Sequence, residues 1–160
     1  MKTRKGLVLE GRYELTRLIA TGGMGQVWEG KDQELDRPVA VKVLREEFAG
    51  EEGYLKRFRA EARHTAALAH DAIAGLYDYG ELDGRAYIVM ELVKGRPLSD
   101  IIEENPDGLD EDRVIAVLKE LAKALDAAHV KGVVHRDVKP ENVLVDDTND
   151  WALKITDFGI

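Results

Sequence analysis

The arrangement of β-like and helix-like periodicity about one breaker cluster constrains the fold more than any other feature of the sequence. Residues 13–19, 27–31 and 38–44 are short β-branched stretches separated by glycine or acidic turn signals, which predicts a three-strand antiparallel meander. A helix is predicted over 52–69, where Tyr54, Phe58, Ala62, Thr65 and Leu68 recur at steps of three and four. Two further strands, 73–79 and 85–92, meet across Asp83-Gly84, a dipeptide suited to a tight hairpin. Lys94-Gly95-Arg96-Pro97 then interrupts all regular periodicity. Beyond it come a short helix over 98–104 and a long one capped by Asp110. The long helix carries a stripe of Val114, Val117, Leu118, Leu121, Leu125 and Ala128 and stops at Gly132. Strands at 143–145 and 153–156 close the series. Strands gather before the breaker and helices after it, the pattern of an α+β fold. The expected organisation is an N-terminal extension at 1–11, a strand-rich lobe at 12–93, and a hinge with the first part of a helical lobe at 94–160.

Composition narrows the chemistry. There is no cysteine, so disulfides, thiolate zinc sites and a cysteine nucleophile are excluded, and any metal must be held by oxygen or histidine. The formal net charge of −8 opposes non-specific attraction to nucleic acid or anionic membrane, so phosphate has to be met locally by backbone and a few cations. No apolar run reaches the length that spans a bilayer, and Leu7-Val8-Leu9 is too short for a signal-peptide core. The expected location is cytoplasmic.

Four constellations carry chemistry. Ala20-Thr21-Gly22-Gly23-Met24-Gly25-Gln26-Val27 is a glycine-rich turn between strands, where missing side chains let backbone N–H groups approach phosphate oxygens. Val39-Ala40-Val41-Lys42 ends an apolar strand in a lysine that needs a compensating charge if buried. Glu61 supplies one, because it shares the helix face of Phe58, Thr65 and Leu68 and points away from Arg57, Arg59 and Arg63. His135-Arg136-Asp137-Val138-Lys139-Pro140-Glu141-Asn142 lies between a helix stop and a strand. At about one in twenty per residue type, that spaced pattern arises by chance on the order of once in ten thousand chains of this size. Within it Asp137 can accept a hydroxyl proton, Lys139 offers a cation to a moving phosphoryl group, and Asn142 gives an amide oxygen to Mg2+. Asp157-Phe158-Gly159 follows a strand and offers a second carboxylate to the same metal. Asp146-Asp147-Thr148-Asn149-Asp150 superficially suggests calcium, but Trp151 stands where such a loop needs glycine and no Glu closes it, so a hairpin turn is expected.

In this order, the glycine-rich loop, V-A-V-K, helix Glu, H-R-D-V-K-P-E-N and D-F-G resemble the protein-kinase signature set over residues 12–160. The wording of the glycine-rich loop and of the approach to His135 looks like the bacterial, eukaryotic-like (Hanks-type) serine/threonine kinases, particularly actinobacterial ones. The resemblance implies a protein-kinase-like fold: a five-stranded antiparallel N-lobe with one main helix, then the beginning of a helical C-lobe. It implies ATP and Mg2+ as cofactors, transfer of the γ-phosphoryl group to Ser or Thr hydroxyls of protein substrates, and Lys42, Glu61, Asp137 and Lys139 as catalytic residues. Asn142 and Asp157 would hold metal. Ala20, Thr21, Gly22, Gly23, Met24, Gly25, Val27, Ala40, Lys42, Met90, Glu91, Val93 and Leu144 would surround the nucleotide, with Met90 as gatekeeper. Thr65, Leu76, His135 and Phe158 would form an inner apolar spine.

Two departures stand out. Ala20 replaces the first glycine of the loop pattern, which predicts a stiffer loop, and Pro97 stands where relatives place a polar residue near the ribose. In the family an activation loop, an A-P-E segment and further helices follow Asp-Phe-Gly, and relatives often continue into a membrane span. A chain lacking them is expected to transfer phosphate poorly. The alternative is a nucleotide-binding scaffold or pseudokinase-like interaction module that self-associates through apolar surface. Retention of Lys42, Asp137, Asn142 and Asp157 together speaks against that alternative.

Overall fold

The computed structural model describes residues 3–158, so Gly159 of the Asp-Phe-Gly tripeptide lies outside the described residues. The chain forms two compact units: the residues through Ala66 together with Leu76–Leu92, and Ala67–Gly75 together with Val93 onward.

The first unit is built on an antiparallel sheet of β1 (Val8–Leu9), β2 (Tyr13–Thr21), β3 (Gly25–Asp32), β4 (Arg37–Leu44), β5 (Leu76–Leu82) and β6 (Arg85–Glu91), with α1 (Glu52–Ala66) between β4 and β5. The strand order is β1-β2-β3-β4-β6-β5. Six strands replace the expected five, because Val8 and Leu9 pair with Glu14 and Tyr13 at the sheet edge. A two-residue strand is too short to display alternation, and the left-handed Glu10 (φ 47°) and Gly11 (φ 68°) reverse the chain into β2. β5 begins at Leu76, later than expected. Ile73 instead makes a parallel bridge with Ile155 inside the second unit.

Strand alternation gives the sheet two distinct faces. Val39, Val41 and Val43 pack with Leu15, Trp28, Tyr87 and Val89 in one cluster. Leu44 and Ile88 meet Phe58 and Ala62 of α1 in another. The register sets Val27 opposite Lys42 and Ala40 opposite Met90, so these four residues share the face on which α1 packs. The Asp83-Gly84 hairpin forms as expected, both residues with positive φ.

The second unit contains α2 (Leu98–Glu103), α3 (Glu111–Val130) and a three-stranded sheet of β7 (Arg96–Pro97), β8 (Val143–Asp146) and β9 (Ala152–Ile155). Asp110 caps α3 by accepting the Arg113 N–H at 3.2 Å, and Gly132 (φ 75°) ends the helical turn. The packed stripe of α3 is Val117, Leu121, Ala124 and Ala128, with Leu125 half-buried against the same core. Val114 and Leu118, expected on that stripe, are 38% and 59% exposed. Periodicity cannot distinguish one packed side from a wider apolar face, and the described partners occupy only one side.

Within the breaker cluster, Gly95 (φ 132°) runs so close to β8 that a Cβ there would lie 2.5 Å from the Val145 carbonyl oxygen. Pro97 follows in the edge strand, where its missing N–H is tolerated. The 146–150 segment is the expected turn. The Asp146 carboxylate accepts the Thr148 N–H at 3.1 Å and hydroxyl at 2.6 Å, and these bonds hold its carboxyl below the ordinary range.

Candidate active site

In the first unit, the glycine-rich segment closes as a hairpin between β2 and β3. The Gly22 N–H donates to the Gly25 carbonyl at 2.9 Å, and the Arg45 N–H donates to the Met24 carbonyl at 2.9 Å. Ala20 stays in the ladder opposite Val27 beside a register shift between Leu18 and Ala20, so the replaced glycine occupies bulged strand. Thr21, Gly22 and Gly23 are exposed. Gly25 is closely approached: a Cβ would sit 3.2 Å from the Val43 carbonyl oxygen and 3.3 Å from Lys42 Cγ and Cε. Its neighbour is the lysine itself, a closeness that sequence spacing did not reveal.

Lys42 Nζ lies 2.6 Å from Glu61 Oε1, with the two side chains 14% and 7% exposed. Each charge offsets part of the other's desolvation, the condition on which both can stay ionised in a largely buried position. β4 sets the lysine on the α1-facing side and α1 brings Glu61 to meet it. Ala40 is buried, Val27, Met90 and Glu91 are half-buried, and Glu91 is opposite Val39.

In the second unit, the loop between α3 and β8 is held by a closed circuit of hydrogen bonds. The Asp137 N–H donates to His135 Nδ1 at 3.1 Å, while His135 Nε2 lies 2.7 Å from the Thr156 carbonyl oxygen. An accepting Nδ1 leaves the ring proton on Nε2, which therefore donates to Thr156. The Thr156 N–H returns to the Asn142 carbonyl at 2.9 Å. Asn142 Nδ2 donates to the Asp137 carbonyl at 2.9 Å and to its Oδ2 at 3.2 Å. The His135 ring is 1% exposed and packs on Phe158 with centroids 4.6 Å apart.

This circuit brings Asp137, Asn142 and the residue preceding Asp157 into one framework. Lys139 Nζ lies 3.3 Å from Asp137 Oδ2, and the two side chains are 47% and 56% exposed, open to a reacting partner. Arg136 (φ 69°) and Asp157 (φ 56°) both adopt the left-handed region, which costs a non-glycine residue ~1–3 kcal/mol and is found at functional turns. Val93 and Leu144 are half-buried in this unit. Sequence reasoning missed Thr156, because its contribution is mainly backbone and no side-chain pattern announces it.

The donor set suits a hard cation. With Asn142 Nδ2 committed to Asp137, its amide oxygen is the group left to face a metal, and Asp157 adds an exposed carboxylate. Among the described residues no three His, Cys, Asp or Glu side chains cluster as a self-sufficient metal cage.

A sheet with one packed helix carrying a lysine–glutamate pair, and a second unit presenting an aspartate–asparagine loop, define a protein-kinase fold. The chain belongs to the protein kinase domain family, whose profile matches residues 13–160. It is 52% identical over 165 residues to the serine/threonine-protein kinase PknA of Mycobacterium tuberculosis, covering 100% of this chain and 38% of that protein. The serine/threonine-protein kinase PknL of the same organism is 46% identical over 155 residues, covering 96% of this chain and 38% of its own. Among solved structures, the Mycobacterium tuberculosis PknI kinase domain superposes with a TM-score of 0.84 at 31% identity, covering 99% of this chain and 64% of that one. The chain thus spans well under half the length of the curated relatives it matches. No helix among the described residues is long and apolar enough to cross a membrane.

Proposed function

We propose that the protein is an ATP-dependent serine/threonine kinase that transfers the γ-phosphoryl group to Ser or Thr hydroxyls of protein substrates. The observation that carries this reading is the hydrogen-bonded circuit through His135, Asp137, Asn142 and Thr156, which supports a fixed carboxylate beside a metal-binding amide. The names of the relatives support the same class.

Asp137 accepts or orients the proton of the attacking hydroxyl, and Lys139, within 3.3 Å of it, offers positive charge to the transferring group. Lys42, held by Glu61, binds the α and β phosphates. The glycine-rich turn of Thr21, Gly22, Gly23, Met24 and Gly25 would receive the phosphates, while Ala20, Val27, Ala40, Met90 and Glu91 of the first unit and Val93 and Leu144 of the second are the residues we assign to the base. Asn142 and Asp157 would hold Mg2+, which when bound would neutralise charge on the phosphates. Positioning and preorganised charge do most of the catalytic work in such a site.

A scaffold without transferase activity is not favoured, since Lys42, Asp137, Asn142 and Asp157 are all retained. Calorimetric titration of Mg·ATP into the protein tests the nucleotide half of the proposal. Binding is expected to need Mg2+ and to weaken roughly ten-fold or more, ~1.4 kcal/mol, in Lys42→Met and in Asp157→Asn. Equal affinity in all three proteins would overturn these assignments.

A further inference from the structure

β4 pairs with β3 as far as Leu44, which lies opposite Gly25. The next residue, Arg45, adds one bond to that ladder, its N–H donating to the Met24 carbonyl at 2.9 Å. Its guanidinium Nη1 donates to a second carbonyl of the same turn, that of Gly22, at 3.4 Å. One residue in the connection from β4 to α1 therefore holds the glycine-rich turn on both sides of Gly23. Its main chain takes one carbonyl and its side chain the other.

The direction of those carbonyls sets the direction of two donors. Every described peptide bond is trans, so each C=O and the N–H of the following residue point to opposite sides. With the Gly22 and Met24 carbonyls turned toward Arg45, the N–H groups of Gly23 and Gly25 are turned away from it. Between two glycines a peptide plane can rotate at little steric cost, so the Gly22-Gly23 plane needs an outside partner to select one orientation. Arg45 is itself held. Its side chain is 33% exposed, its Nη2 pairs with Glu47, and its guanidinium carbon stands 5.7 Å from the centre of the Phe48 ring. Phe48 stacks on Tyr54 of α1 with centroids 4.2 Å apart, and Met24, Phe48 and Tyr54 all pack on the cluster of Leu44 and Phe58. The turn is thus tied to the helix that brings Glu61 to Lys42.

We propose that, given the kinase reading on which this rests, Arg45 is a positioning residue for phosphoryl transfer: it fixes the peptide planes of the glycine-rich turn so that the Gly23 and Gly25 N–H groups are presented to the phosphates of ATP. A turn already ordered before the nucleotide arrives loses less freedom on binding, and donors fixed in advance need no reorganisation as charge moves. The guanidinium acts through the turn, since Nη1 is committed to Gly22 and Nη2 to Glu47. Its effect falls on the phosphate end of the nucleotide and leaves the adenine end alone.

The test compares the full-length protein with Arg45→Met, Arg45→Lys and Arg45→Pro. Methionine keeps the N–H and an unbranched stem but loses the guanidinium, and lysine restores a cationic donor. Proline, which the backbone accepts at φ −65°, removes both bonds. Calorimetry measures the affinity for Mg·ATP and for adenosine, which has no phosphate. Nitrogen-15 relaxation of glycine-labelled protein, without nucleotide, reads the order of the Gly22, Gly23 and Gly25 N–H groups. Mg·ATP affinity is expected to fall roughly five- to ten-fold in Arg45→Met, further in Arg45→Pro, and to recover in part in Arg45→Lys, while adenosine binds all four proteins alike. The glycine order parameters are expected to drop from about 0.85 toward 0.6 in the methionine and proline variants. Unchanged Mg·ATP affinity in Arg45→Met would overturn the proposal and leave the kinase reading standing, whereas a parent protein that binds no Mg·ATP would overturn both. Equal loss of adenosine and ATP would mark a general support of the site and overturn it. Weaker ATP binding with unchanged glycine order would make Arg45 a direct phosphate ligand and overturn it as well. If Arg45→Pro fails to fold, the methionine and lysine variants decide.

Discussion

Replacing His135 with leucine removes the hub of the loop circuit while keeping an apolar side chain against Phe158. Two backbone groups lose their partners: the Asp137 N–H, now 3.1 Å from Nδ1, and the Thr156 carbonyl, now 2.7 Å from Nε2. The ring is 1% exposed, so water does not readily take its place. At ~1–3 kcal/mol for each orphaned group, the loss is about 2–5 kcal/mol after allowing for the better transfer of leucine. Guanidinium unfolding, with Trp151 fluorescence as a reporter from the second unit, measures it. Amide exchange at Asp137 locates it, since that N–H loses its acceptor and should exchange faster. His135→Asn, whose amide oxygen can stand where Nδ1 stands, should restore protection at Asp137 without restoring the bond to Thr156. His135→Gln should do the reverse. A His135→Leu protein within ~0.5 kcal/mol of the parent, the usual range of an inconsequential substitution, and with unchanged Asp137 exchange, would refute the circuit as a structural unit.

Other expectations follow from the same geometry. Gly95→Ala should destabilise the second unit by more than ~2 kcal/mol, because its φ of 132° is unfavourable for alanine and the new Cβ meets Val145 at 2.5 Å; urea unfolding measures this. The buried Asp32 is held by Arg12 at 2.8 and 2.9 Å, and that hydrogen bond, against the opposing effect of burial, lowers its pKa from 3.8 to about 2. A depressed folded-state pKa means its stabilisation is fully present above pH 3.8 and is lost as pH falls through about 2. Stability measured across that window should therefore decline with acid, and an Asp32→Asn protein should lack that component of the decline.

The parts legible in the sequence were those encoded by periodicity or by spaced side-chain chemistry. β4 announced itself as a β-branched run bounded by turn signals and α1 through apolar steps of three and four, and with them the meeting of Lys42 and Glu61. The spacing from His135 to Asn142 marked the loop. What escaped was encoded in backbone and in missing atoms. β1 is too short to alternate, Thr156 acts chiefly through its main chain, and the left-handed turns at Arg136 and Asp157 use residue types that do not advertise them. Ile73 looked like strand because a short apolar run has no intrinsic partner, and only the fold paired it with Ile155.

The most direct test of the central claim is transfer of labelled γ-phosphate from ATP to protein hydroxyls by the full-length protein, compared with its Asp137→Asn variant. Magnesium-dependent label on Ser and Thr, reduced by about 10²-fold or more in the variant while ATP binding persists, is the predicted result. No transfer by the parent protein, or undiminished transfer by Asp137→Asn, would contradict the assignment of this loop as the catalytic element of a serine/threonine kinase.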